Sequence, residues 1–210
     1  MQWGYLRPSG ACRAGVCHTR FMGTLFFTGK GDGGRSAFGS CSLSKSDPLF
    51  ACLGDLDELN CHFGLCGVIA KKTKGVSTVP VDVSASLARM QELLFVAQAE
   101  VAFVAGSGGK ETRVLPEHLH FLEELIQAID RSLPALTHFI VPGGSELAAS
   151  LDVARAVARR AERSLSAYPE RTAFSQSLPA FVNRISSALF ALARYVNAEL
   201  HFDERRPSYR

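Results

Sequence analysis

A chain of 210 residues with 47% hydrophobic content can bury one large core but is short for two independent ones. Its net charge of +3 does not imply a general nucleic-acid surface, so anion binding has to come from local clusters. No apolar run reaches the roughly 18 residues that would cross a membrane. The six cysteines form neither a disulfide framework nor a metal spacing, since Cys61-x4-Cys66 fits no zinc or thioredoxin pattern.

In chain order, residues 1–31 carry Arg7, Arg13, Arg20 and Lys30 and no acid, the first being Asp32. That composition is the one organelle transit peptides have, so residues 1–23 read as such a peptide and the destination as mitochondrial. A basic disordered tail on a cytoplasmic protein is the plainer alternative. Residues 24–200 then form the folded domain, with 201–210 as a C-terminal tail.

The glycine-rich stretch "TGKGDGGRSAF" follows, Thr28 to Phe38. Gly29-x4-Gly34-Arg35-Ser36 is one substitution from a Walker A motif. A P-loop needs a helix directly after it, and "SAFGSCSLSKSD" is too rich in Gly and Ser to start one. The segment therefore reads as an irregular loop whose backbone N–H groups can cradle phosphates, against the alternative of a flexible surface loop.

From Pro48 on, apolar residues recur at spacings of three and four, which predicts five helices. They run from about Pro48 to Lys72, Val81 to Ala105, Pro116 to Ser132, Ser145 to Tyr168 and Leu178 to Glu199. Pro116 suits a first helical turn and Ser145 an N-cap. Cys52, Cys61 and Cys66 sit among apolar residues of the first helix, where each reads as a small hydrophobe. With no βαβ alternation, the expected fold is all-α: a five-helix bundle with ferritin-like up-down packing and a glycine-rich segment outside it.

Two charged groups stand out on these helices. Asp55, Asp57 and Glu58 interrupt the first, where a solvated face is the ordinary reading. In the fourth, Leu147, Leu151, Ala154, Ala158, Ala161 and Leu165 make one apolar stripe. Beside it, at about 100° per residue, Arg155, Arg159 and Arg163 form a second row, with Arg155 at the edge of the core. Like charges at i, i+4 repel, and only Asp152 and Glu162 offset them locally. Periodicity leaves an anion site and a solvated face equally open.

Taken together, "TGKGDGG", "LGDLDELN", "FIVPGG", "ARAVARRAER" and "FVNRISSALFALARY" resemble the PduO-type ATP:cob(I)alamin adenosyltransferases, in order and at that family's distances, over about Thr28 to Asn197. The resemblance implies a five-helix bundle assembled as a homotrimer with active sites between subunits. It implies transfer of the 5′-deoxyadenosyl group of ATP to the cobalt of reduced cobalamin, releasing triphosphate, with Mg2+ as the ion accompanying ATP. A reductase that supplies electrons and an adenosylcobalamin-dependent acceptor enzyme would be its partners.

Residue roles follow from the same resemblance. Thr28, Gly31, Asp32 and Gly34 would wrap ATP, helped by Lys45. Arg159 and Asn183 would contact ATP, Arg159 stabilising the departing phosphates, and Glu162 would reach a ribose hydroxyl or the Mg2+ shell. Phe139 would occupy the place of cobalamin's lower axial ligand, leaving a four-coordinate cobalt(II) that is easier to reduce; its ordinary role would be core packing. Asp57 and Arg155 would form an ion pair across the subunit interface, while Arg160 has no assigned role and Arg163 only an auxiliary one.

Some positions depart from the family pattern. Lys30 stands where a small polar side chain is common, Phe27 replaces a common tyrosine, and Ser46 an acid. A module that delivers cobalamin with little turnover is therefore the alternative. A helical RNA-binding protein is a further one, but the basic residues lack interleaved aromatics. His62, His118, His120, His138 and His201 have no ligand-like context, so histidine ligation of cobalt is not expected.

Overall fold

Three of the five helices begin where the sequence supplies a side-chain cap. The computed structural model describes residues 27, 29–108 and 110–209, which leaves the transit-peptide reading of 1–23 and the Thr28 assignment outside the described residues. Helix α1 spans Pro48–Lys72: the Asp47 carboxylate accepts from Leu49 N at 2.9 Å, Pro48 fills the first turn, and Lys71 and Lys72 complement the C-terminal dipole. Helix α2, Val83–Val104, is capped by Asp82, which accepts from Ala85 N at 2.9 Å. Helix α3 is Pro116–Asp130 and α4 Glu146–Ala167, the latter capped by Ser145 Oγ on Ala148 N at 3.2 Å. Helix α5 is Ser177–Glu199.

The apolar stripe predicted for α4, Leu147 to Leu165, is all buried, and on α5 Phe181, Ile185, Leu189, Leu192 and Val196 are buried with it. Cys52 and Cys66 join that core, and burial pushes their thiols up to about 12 and about 11, so they stay protonated and unreactive. Cys61 does not pack as expected. It is exposed, because it lies about 200° around α1 from Leu59 and Phe63, which face inward.

The glycine-rich segment is more regular than expected. After Gly34 it forms an antiparallel hairpin, β1 Arg35–Phe38 and β2 Cys41–Ser44, with Phe38 opposite Cys41. Gly39 supplies the φ of 56° that a two-residue primed turn demands. Half-buried Ser36, Phe38 and Leu43 alternate with exposed neighbours, and the Phe38 ring meets Phe50 of α1 edge-on at 6.3 Å. The tip rests on the α2–α3 connection: a Cβ on Gly39 would come within 2.7 Å of the Ser107 carbonyl oxygen. A strand pair follows the glycines where a P-loop would need a helix, so the Walker-like spacing is coincidental.

In space the helices neighbour one another in the order α2, α1, α4, α5, α3. Cross-helix bonds give their directions. Asp55 and Glu58 of α1 bond Ser164 and Arg160 of α4, so this pair is antiparallel. Glu162 and Ser145 reach Asn183 and Asn197, so α4 and α5 are antiparallel too. Glu123 of α3 and Pro134 just beyond it bond Arg184 and Arg194, so α3 runs parallel to α5.

Arg160 thus acquires a role that the sequence did not assign. It donates to Asp55 at 3.1 Å and to Glu58, tying α1 to α4. Because this cluster is partly exposed, Arg160→Ala is expected to lower unfolding free energy by only about 1 kcal/mol. Denaturant titrations at low and high salt should show the loss shrinking as salt rises.

Two further features frame the site. Glu100 of α2 is fully buried; its carboxylate accepts from Val114 N at 2.6 Å, Ser175 N at 2.5 Å and Ser175 Oγ at 3.1 Å. The C-terminal tail packs back on the α3–α4 connection, with Val141 N donating to Arg205 O at 2.8 Å and Arg194 paired to Glu204 at 2.5 Å.

Candidate functional site

The predicted site residues fall into three places within one chain. The first is the glycine loop. Asp32 N donates to Gly29 O at 3.2 Å and Lys45 N to Gly34 O at 2.9 Å, closing the loop against the start of α1. The Lys45 ammonium lies 3.2 Å from where a Cβ of Gly31 would be, so any side chain there would displace it. Gly31, Asp32, Gly34 and Lys45 are therefore together, with Asp32, Gly34 and Lys45 exposed.

The second place is an open cleft of about 550 Å³ between α4 and α5, lined by Arg159, Glu162, Arg163, Ser166, Ala167 and Asn183. All three residues assigned to the nucleotide from these helices converge there. Asn183 Nδ2 donates to Glu162 Oε1 at 2.7 Å, which fixes the carboxylate, and Arg163 Nη1 donates to Arg159 O at 2.9 Å. Arg159 is exposed beside them. The cleft offers cationic donors and one oriented carboxylate, a set suited to a polyphosphate carrying a sugar. Among the described residues, none of the glycine loop lines it.

The third place surrounds the connection between α3 and α4. Phe139 is 80% exposed, so it does not take the core-packing role ordinary for a phenylalanine. Arg155 sits at the core edge as expected, with its side chain 26% exposed and its guanidinium 5.9 Å from the centre of the Phe190 ring. Within the chain its partner is Asp152, at 3.0 Å, and not Asp57, which is half-buried on α1. Asp152 was visible in the sequence only as a local offset to the arginine row. Asn197, which bonds Gly143 and Ser145, left no sequence signal, because its partners lie more than fifty residues away.

Comparisons with known proteins agree on one relationship. A family model described as cobalamin adenosyltransferase matches residues 26–196. The corrinoid adenosyltransferase of Bacillus subtilis is 33% identical over 172 residues, covering 82% of this chain and 86% of that one. The cobalamin adenosyltransferase of Cupriavidus metallidurans is 34% identical over 170 residues, covering 81% and 82%. Among solved structures, a phenylalanine-to-histidine variant of the PduO-type ATP:corrinoid adenosyltransferase from Lactobacillus reuteri, complexed with cobalamin and ATP, superposes with a TM-score of 0.78 at 31% identity. It covers 87% of this chain and 96% of that chain. An arginine-to-lysine variant from the same organism, complexed with ATP, gives a TM-score of 0.74 at 31% identity, with 86% and 99% covered. With a bundle of matching shape and a family model spanning the glycine loop through α5, the chain belongs to the cobalamin adenosyltransferase family.

Proposed function

We propose that this protein transfers the 5′-deoxyadenosyl group of ATP to cob(I)alamin, giving adenosylcobalamin and triphosphate. The observation that carries the reading is the convergence of Arg159, Glu162 and Asn183 on one cleft. Cobalt(I) attacks the 5′ carbon, the Co–C bond forms, and the C5′–O bond breaks with its electron pair leaving on triphosphate. Charge grows on that leaving group, and the Arg159 guanidinium is the cation placed to stabilise it. Asn183 and Glu162 hold the nucleoside end, and Gly31, Asp32, Gly34 and Lys45 close over the phosphates.

Mg2+ would enter with the nucleotide and neutralise part of the phosphate charge. Among the described residues no three His, Cys, Asp or Glu side chains cluster to hold an ion. Glu162 is the carboxylate in the cleft, and a single carboxylate plus phosphates fits the way this ion is usually carried.

Phe139 displaces the lower axial ligand of cobalamin in this reading. Its exposure supports that use, and so does spacing: the phenylalanine and arginine altered in the Lactobacillus reuteri structures are as far apart in sequence as Phe139 and Arg159. Phe139→Ala is expected to keep ATP affinity but to lose the spectrum of four-coordinate cobalt(II), measured by electron paramagnetic resonance. Survival of that spectrum would remove the role from Phe139.

The working unit is a homotrimer with sites shared between subunits. The separation of the glycine loop from the Arg159 cleft supports this, as does an Arg155 poised at the core edge to meet Asp57 of another copy. A reductase supplies the electron for cobalt(I), and an adenosylcobalamin-dependent enzyme receives the product. The mitochondrial destination rests on residues 1–23 alone. Among the described residues no helix is long and apolar enough to cross a membrane.

Mixing the protein with ATP, Mg2+ and chemically reduced cobalamin should yield adenosylcobalamin, followed by absorbance. Corrin binding without product would favour the delivery module, for which the altered glycine segment around Lys30 speaks.

A further inference from the structure

Phe139 has an unusual positional problem. At 80% exposed, its side chain has little packing to hold it, so its direction is set by the backbone on which it stands. That backbone is non-helical from Leu133 to Gly144 and is anchored by side chains of α4 and α5.

The tightest anchor is Asn197. Its Nδ2 donates to Gly143 O at 2.7 Å and its Oδ1 accepts from Ser145 N at 3.0 Å, so one carboxamide brackets Gly144. Gly144 has φ of 100°, and a Cβ there would lie within 2.6 Å of Asn197 Nδ2. No other residue type fits between the amide and the chain. Asp152, 11% exposed, adds a third bond: its Oδ2 accepts from Gly143 N at 3.2 Å while its Oδ1 holds Arg155. These anchors meet around a small cavity of about 30 Å³ that Ile140, Gly143, Asp152, Arg155 and Asn197 help to line.

Asn197 also stands on the same helix as Asn183. Fourteen residues at about 1.5 Å each put the two amides about 21 Å apart along α5, rotated by only about 40°. One rigid helix thus carries a nucleotide-cleft residue near one end and the anchor of the Phe139 segment near the other.

We infer that Asn197 is a positioning residue for Phe139, acting through its bracket on Gly143 and Ser145. The inference rests on the reading of Phe139 given above for its catalytic consequence, but not for its structural content. Asn197→Asp keeps the size and the acceptor for Ser145 N, loses the donor to Gly143 O and sets an anionic oxygen beside that carbonyl. Gly144→Ala attacks the same bracket from the other side.

Three measurements on the full chain test it: ATP affinity, the four-coordinate cobalt(II) signal with ATP bound, and amide hydrogen exchange of residues 139–145. Both variants should keep ATP affinity, speed exchange at Gly143 and Ser145, and weaken the cobalt(II) signal about tenfold, as losing one or two hydrogen bonds would. A full cobalt(II) signal in Asn197→Asp overturns the inference. So does a loss of ATP affinity in step with the signal, which marks general damage to α5. Phe139→Ala is measured beside them. If it keeps the signal, the Phe139 reading itself has failed, and exchange alone decides: faster exchange in Asn197→Asp upholds the anchor, and an unchanged rate sinks it.

Discussion

Arg159→Ala is expected to cut turnover by about 10²–10³-fold, the usual cost of removing one preorganised charge stabiliser from a reacting centre. The effect should fall on kcat more than on the concentration of ATP needed for half-saturation. In the proposed reaction, Lys45 and the loop amides would already neutralise the phosphates of bound ATP, whereas the added charge on departing triphosphate would appear only as the C5′–O bond breaks. Arg159→Lys should recover part of the loss, because an ammonium restores charge but not the planar fork that grips two phosphate oxygens. Steady-state rates with ATP varied at saturating cob(I)alamin give the split. Equal kcat in Arg159→Ala would take the leaving-group role away from this residue.

The largest expected stability effect lies away from the cleft. Glu100→Ala removes a fully buried carboxylate that accepts from two backbone amides and a serine hydroxyl and lies 3.6 Å from the Arg113 guanidinium. The Val114 and Ser175 amides are then left without an acceptor, whereas Ser175 Oγ keeps Val114 O and Arg113 keeps Glu111, at a cost of about 3–5 kcal/mol. For a domain of this size that corresponds to a fall of about 10 °C in Tm, read by calorimetry. Glu100→Gln should fall between, since an amide oxygen can serve only part of this donor set. A Tm within a degree of the parent in Glu100→Ala would show that water or a rotated neighbour replaces the carboxylate.

The bundle was legible because its signals are local. Helical periodicity gave the five helices, and Asp47, Asp82 and Ser145 end up as caps because short polar acceptors at those positions satisfy otherwise unpaired amides. Periodicity also put Arg155 at the core edge, where it is found. The hairpin after Gly34 was not legible. Its strands are four residues each, rich in Ser, and only half-buried, so alternation is too weak to read without knowing that Gly39 turns the chain.

For the site, family resemblance supplied Arg159, Glu162 and Asn183 as one group, and the cleft unites them. The sequence could not supply the long-range bonds. Arg160 next to Arg159 reads as one more basic residue until α1 is laid beside α4, when Asp55 and Glu58 claim it. Asn197 is similar: an asparagine near a helix end carries no sign of partners at Gly143 and Ser145.

The contact between the Gly39 turn and the Ser107 carbonyl has a consequence for how this protein can vary. The hairpin runs from the glycine loop to the α2–α3 connection, so its length is set by the bundle. A residue inserted at 39 or 40 would have to move Ser107 or withdraw the loop. A substitution at an exposed loop position such as Gly33, where a Cβ would meet nothing within 4 Å, asks for neither. Length is thus fixed at the turn, and within the loop Gly31, backed by the Lys45 ammonium, fixes the residue type as well.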